Sequence, residues 1–205
     1  MSERIRYYYY HQDEEERYSY EPPRASTPYW GSPLAHGILE TSNSALSGFE
    51  KRIRDAYNRL ITICKANNIP AFLCESAFQA YRKIMYICRD VAEARDNGNG
   101  DGGVSSIIYI HRVLRIPQLA LDTNALATIL LLIRLRRILN LYGDPLKEEQ
   151  LFLAAVSHRD DLKEIVNQAT KIQKRLEYHI KELLKKYQKM KEKKIQRTLN
   201  HNNNS

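Results

Sequence analysis

Residues 125–145 read ALATILLLIRLRRILNLYGDP. The first nine, Ala125 to Ile133, carry no charge and show no polar face at helical spacing. A helix at the surface of a domain is apolar along one stripe, whereas one that is apolar around most of its circumference is surrounded by other elements. A bilayer span needs about 20 such residues, so this run is expected at the centre of a helical domain. The predicted helix covers about Asp122 to Leu141 and stops at Gly143 and Pro145, a Gly-then-Pro signal. Leu130 and Ile133 are then predicted to be nearly inaccessible.

Upstream lies FEKRIRDAYNRLITICKANNIPAFLCESAFQAYRKIMYICR, residues 49–89. Ile53, Ala56, Tyr57, Leu60, Ile61 and Cys64 recur at three- and four-residue spacing, which predicts a first helix over about Ala45–Asn67. An Asn-Asn-Ile-Pro turn follows, and Pro70 opens a second helix that runs to about Ala94, since a missing N–H costs nothing in a first turn. DNGNGDGGVSS, residues 96–106, reads as a mobile Gly-rich loop. IIYIHRVLRIPQL, residues 107–119, fits a strand pair or an irregular helix. Downstream of the central run, a short helix is expected over Lys147–Ala155. Ser157, with Asp160 three residues on, resembles a weak capping box opening a last helix that continues beyond Met190. The expected fold is therefore all-α, with five helices arranged around a buried third.

Charge is unevenly spread. The 205 residues carry a net charge of +8, and Lys171 to Arg197 alone hold eleven Lys and Arg against Glu177, Glu182 and Glu192. Everything before Lys171 is thus neutral overall, and the basic feature is a tail rather than a whole surface. Leu162, Ile165, Ala169, Ile172, Leu176, Ile180, Leu183, Tyr187 and Met190 form an apolar stripe at roughly heptad spacing leading into and along that tail. Up to about Tyr178 it can pack on the domain. Beyond Tyr178 it is expected to pair with a partner helix, such as a second copy, or to form a basic arm that can be deleted without unfolding the core. The domain is accordingly placed at 49–178 and the basic tail at 179–205.

Residues 1–30 contain seven of the fourteen tyrosines, including Tyr7, Tyr8, Tyr9 and Tyr10 in a row, beside the acidic run Asp13 to Glu16. With few aliphatic residues, this head cannot bury enough surface to order itself. It reads either as a solvated tail or as an adhesive segment that docks on a partner through Tyr7 to Tyr10 and Trp30. Residues 31–48 form a linker, and Trp30 is equally well placed to pack on the domain edge.

Cys64, Cys74 and Cys88 are odd in number and lack CxxC spacing, which fits core packing in a reducing compartment. No N-terminal apolar segment suggests a signal peptide, so a soluble intracellular protein is expected. Six scattered histidines offer no paired metal ligands, and the glycines at 98, 100, 102 and 103 lack the flanking strand and the Lys-Ser/Thr of a phosphate loop. No nucleophile elbow is present, and Asp160-Asp161 suits a helix start. The expectation is a non-enzyme without metal or cofactor.

Five segments stand in a telling order. They are Gly31-Ser32-Pro33-Leu34; Lys51-Arg52-Ile53-Arg54; Ile69-Pro70 with Glu75, Ala77 and Tyr81-Arg82-Lys83; Asn124 to Arg137; and Leu151 to Glu164 with Val156-Ser157-His158-Arg159. Piece by piece they resemble the lead-in, the first three helices and the join between the fourth and fifth helices in the first cyclin-like repeat of transcription factor IIB and archaeal transcription factor B. The likeness spans about Ser26 to Tyr178. It implies a cyclin-like fold and a role in transcription through RNA polymerase, TATA-binding protein or DNA, in an archaeal-type cell or a virus of one. The departures are equally plain. No zinc ribbon precedes Cys64, no second repeat follows Tyr178, and the family's Arg-Gly-Arg-Ser entry to its third helix is replaced by residues 96–117. A specialised accessory or regulator fits this pattern better than a general initiation factor, and DNA contact is expected to be largely indifferent to sequence. A basic coiled-coil scaffold unrelated to transcription is the other open reading.

Candidate phosphate contacts are Arg52 and Arg54 in the first helix, Arg82 and Lys83 in the second, and Arg134, Arg136 and Arg137 at the end of the central one. His158, Arg159 and Lys163 at the start of the last helix, and Lys185, Lys186 and Lys189 in the tail, complete the set.

Overall fold

A computed structural model describes residues 48–94 and 104–202. Among them there is no strand. The elements are α1 (Gly48–Ala66), α2 (Ala71–Ala94), α3 (Val104–Val113), a 3₁₀ turn (Ile116–Gln118), α4 (Thr123–Leu135), α5 (Pro145–Ala155) and α6 (Leu162–Asn202). The Tyr-rich head, the linker to Ser47 and most of the Gly-rich loop fall outside the described residues.

The central run behaves as its composition requires. All nine residues from Ala125 to Ile133 are buried, and Leu130 and Ile133 are fully inaccessible. α4 packs against α1, α2, α5 and α6. Its start is fixed by Asp122, whose carboxylate accepts the Asn124 and Ala125 N–H groups at 2.9 and 3.3 Å. Its regular part ends at Leu135, earlier than the Leu141 expected. From Arg136 to Asn140 the chain tightens into i→i−3 bonds such as Arg136 N to Ile133 O, and Asn140 (φ 52°) turns it out of the helix before Gly143 is reached. Asp144 then caps α5 by accepting the Lys147 N–H, with Pro145 in the first turn.

α1 and α2 form the expected hairpin. Asn68, at φ 53°, takes the left-handed position that ends α1, and Ile69 N bonds back to Cys64 O at 2.9 Å. Cys64, Cys74 and Cys88 are buried and free. Burial pushes the Cys74 thiol up, reinforced by the neighbouring Cys64, and burial takes Cys88 to about 12; both are core groups rather than reactive thiolates.

Three expectations are corrected. Residues 107–113, open to a strand reading, belong to helix α3, which already begins at Val104 inside the supposed loop. α3 packs along α6, while the following 3₁₀ turn packs on α1, where the Arg59 guanidinium donates to Leu119 O. α6 starts at Leu162, not Ser157, and the Ser157 hydroxyl donates back to Ala154 O instead of capping a helix. The domain also does not end at Tyr178, because Ile180 and Leu183 are as buried as Leu176 and Leu184 and Tyr187 still touch the core.

Candidate nucleic-acid interface

The three arginines that close α4 have three different environments. Arg136 is 0% exposed; its guanidinium donates to Ser76 O at 2.9 Å and to Tyr142 O, and its Nε stands 3.2 Å from a Glu148 carboxylate oxygen. It ties α2, the turn after α4 and α5 together, so its expected phosphate role is withdrawn. Arg134 donates to Glu149 at 2.7 and 2.9 Å and to Thr170 and Gln173 of α6 at 3.1 Å each, which makes it a clamp between helices. Arg137 alone of the three is exposed.

At the start of α6, Arg159 also has internal work. It donates to both Asp161 oxygens at 2.8 and 2.9 Å and to Asn67 Oδ1 at 2.8 Å, while the Thr123 hydroxyl donates to Asp161. Arg159, and after it Thr123, hold the Asp161 carboxyl well below the usual carboxylate range. Asp161 thus ties the start of α6 to that of α4, while Arg159 reaches the end of α1. His158 and Lys163 are exposed beside it.

Arg52, Arg54, Arg82 and Lys83 are each half-buried. Arg82 lies over the Tyr86 ring at 5.6 Å, beside a cluster that the sequence reading missed, in which Arg89 stacks on Phe49 and Tyr86 at 4.9 and 4.7 Å. Arg52 points inward, with Nη1 3.4 Å from His111 Nδ1, so the imidazole proton sits on Nε2. Tyr81 Oη and His111 Nε2 are sealed from solvent with no hydrogen-bond partner among the described residues. Burial raises the Tyr81 phenol to about 12 against the opposing pull of the nearby Arg52. On the far side of α3, Ser106 Oγ lies 2.9 Å from His179 Nδ1, and Tyr109 stacks on the same ring with centroids 4.4 Å apart.

Among the described residues, an extended basic surface runs along α6. At about 100° per residue, Ile165, Ala169, Leu176, Ile180, Leu183 and Tyr187 fall within about 40° of one line, the side turned to the core. Within about 40° of the opposite line stand Lys163, Asn167, Lys171, Lys174, Tyr178, Lys181, Lys185 and Lys189, all exposed. Glu182 borders this line, and its carboxylate pairs with Lys185 at 3.0 Å. The face is about 39 Å long at 1.5 Å per residue. Lys163, Lys185 and Lys189 were expected to bind phosphate; Lys171, Lys174, Lys181 and the 61%-exposed Tyr178 join them. Lys186 lies off this line and is half-buried. The added lysines were legible in phase, because they sit half a turn away from the apolar stripe.

Tyr7 to Tyr10 and Trp30 lie outside the described residues. Among the described residues no group of three His, Cys, Asp or Glu side chains is placed to hold a metal ion, and no helix is long and apolar enough to cross a membrane. No protein-family model, curated protein or solved structure matches the chain.

Proposed function

We propose that this chain is a non-catalytic accessory or regulatory protein of transcription, of the transcription-factor-B type, that holds nucleic acid through the lysine face of α6. The observation that carries the reading is that face: six exposed lysines and a tyrosine over about 39 Å, on a helix whose residues 162–202 carry +8 while residues 48–161 carry only +3. Such a line neutralises phosphates by counterion release and needs no base readout. Support for the cyclin-like part comes from packing. The helices that carry the family-like segments (α1, α2, α4, α5 and α6) are α4 and the four around it, while α3 and the 3₁₀ turn occupy the place of the missing Arg-Gly-Arg-Ser entry.

The scaffold alternative has less behind it. The apolar stripe that a coiled coil would use is spent on the chain's own core as far as Tyr187, which leaves Ile195 and Leu199 as exposed large apolar residues beyond it. A coiled coil needs about three to four heptads.

Tagged protein recovered from its own cells, with and without nuclease, tests the transcription reading. RNA polymerase subunits or TATA-binding protein are expected in the eluate after nuclease treatment. Recovery of neither, with no nucleic acid in the untreated sample, rejects it.

A further inference from the structure

We propose that the lysine face of α6 is also the docking site of the chain's own acidic, Tyr-rich head, which covers it in the absence of nucleic acid. The masking role rests on the reading of that face as a phosphate surface; the docking itself does not.

Three observations meet here. The first is charge. Residues 1–47 hold seven Asp and Glu against four Arg, and the run Asp13-Glu14-Glu15-Glu16 is the longest acidic run in the chain. It therefore complements the exposed lysine line of α6, six lysines against the bordering Glu182. The second is where the head leaves the domain. Asn67, next to the end of α1, is bonded to Arg159 next to the start of α6, while Arg52 near the head of α1 meets His111 of α3, the helix whose Ser106 and Tyr109 meet His179 of α6. α1 and α6 therefore run in opposite directions. Counted from that shared end at 1.5 Å per residue, Gly48 and His179 both stand about 26–29 Å away. Measured along the helix axes, residue 48 thus enters the fold at the height of Tyr178, the middle of the lysine face. The third is reach. Between Glu16 and Gly48 the chain has a contour of more than about 100 Å, far more than the length of the face.

Docking of this kind need not be tight. Linking two sites in one chain supplies effective concentrations up to about millimolar, so a few lysine–carboxylate contacts together with tyrosines lying beside Tyr178 suffice to populate it. A phosphate backbone, with its higher charge density, displaces the head.

The test uses the full chain. Carbodiimide cross-linking without nucleic acid, on an equal mixture of unlabelled and ¹⁵N-labelled protein, is read by mass spectrometry. Expected are links from residues 13–16 to Lys171, Lys174, Lys181 or Lys185 within single isotopic species, lost in half-molar salt. Links that join the two isotopes, or that run to other lysines, overturn the proposal, as does their absence. In parallel, the full chain carrying Asp13→Asn, Glu14→Gln, Glu15→Gln and Glu16→Gln is titrated onto a short DNA duplex. It should bind on the order of tenfold more tightly than the parent at low salt. Unchanged affinity overturns the masking. The specific cross-links without DNA binding by either protein establish the docking and reject the phosphate reading instead.

Discussion

At the scale of single residues, Arg136 and Arg137 show how little residue type says about role. Removing the Arg136 side chain takes the buried guanidinium away from Glu148, which is 6% exposed, and from the Ser76 and Tyr142 carbonyls. Breaking a buried pair in this way costs about 3–5 kcal/mol. Arg136→Ala is therefore expected to shift urea unfolding by that amount, while Arg137→Ala stays within about 0.5 kcal/mol. The sequence could not separate the two: where a helix is buried on every side, periodicity no longer marks an outward face. His111 within α3 and His179 of α6, which packs on α3, give a second prediction. His111 is held below its ordinary value of 6.5 by burial and then by Arg52; His179 is lowered by burial and then by Arg175. The folded state binds these protons less readily than the unfolded chain, so stability is lost as pH falls through about 6.5. Amide exchange in α3, corrected for intrinsic rate, should quicken between pH 7.5 and 5.5 while α4 stays protected. His111→Gln with His179→Gln should remove that dependence.

Among the elements, α4 was legible because nine uncharged residues in a row leave a helix only one place to go. α3 was not. Ile107, Ile108 and Ile110 favour a strand locally and Pro117 interrupts the pattern, but Ser106, Tyr109 and His111 find partners on α6 and α1 only from a helix. The end of the domain was misplaced for a related reason. A heptad-like stripe of Ile, Leu and Tyr reads the same whether it meets a partner chain or α2, α3 and α4 of its own. Burial now assigns Ile180 and Leu183 to the core. Each fully buried side chain of this kind contributes about 1.5–3 kcal/mol, so a stop after Tyr178 should unfold or severely destabilise the domain, contrary to the sequence-based expectation. A stop after Lys191 removes, among the described residues, only exposed ones and should leave the melting temperature nearly unchanged. Scanning calorimetry of the two truncations distinguishes these outcomes.

Across the whole molecule, the net charge of +8 resolves into −3 on residues 1–47, +3 on residues 48–161 and +8 on the lysine-faced helix, residues 162–202. The candidate site was partly legible. Lys163, Lys185 and Lys189 were identified from the sequence, whereas most of the arginines proposed with them are engaged inside the fold. Guanidinium groups bond backbone carbonyls and carboxylates well in partly buried places, and lysine is the residue left for solvent. The claim that this face meets phosphate is tested most directly by the salt dependence of DNA binding. Affinity of the full chain for a duplex is measured across salt concentrations, beside a variant carrying Lys174→Gln, Lys181→Gln and Lys185→Gln, whose exposed positions leave the helical circular dichroism unchanged. Each phosphate contact contributes about −0.9 to the slope of log affinity against log salt. The account predicts a slope shallower by about 2.7 in the variant, with little preference among duplex sequences. Equal slopes, binding that survives half-molar salt, or strong selection of one sequence would contradict it.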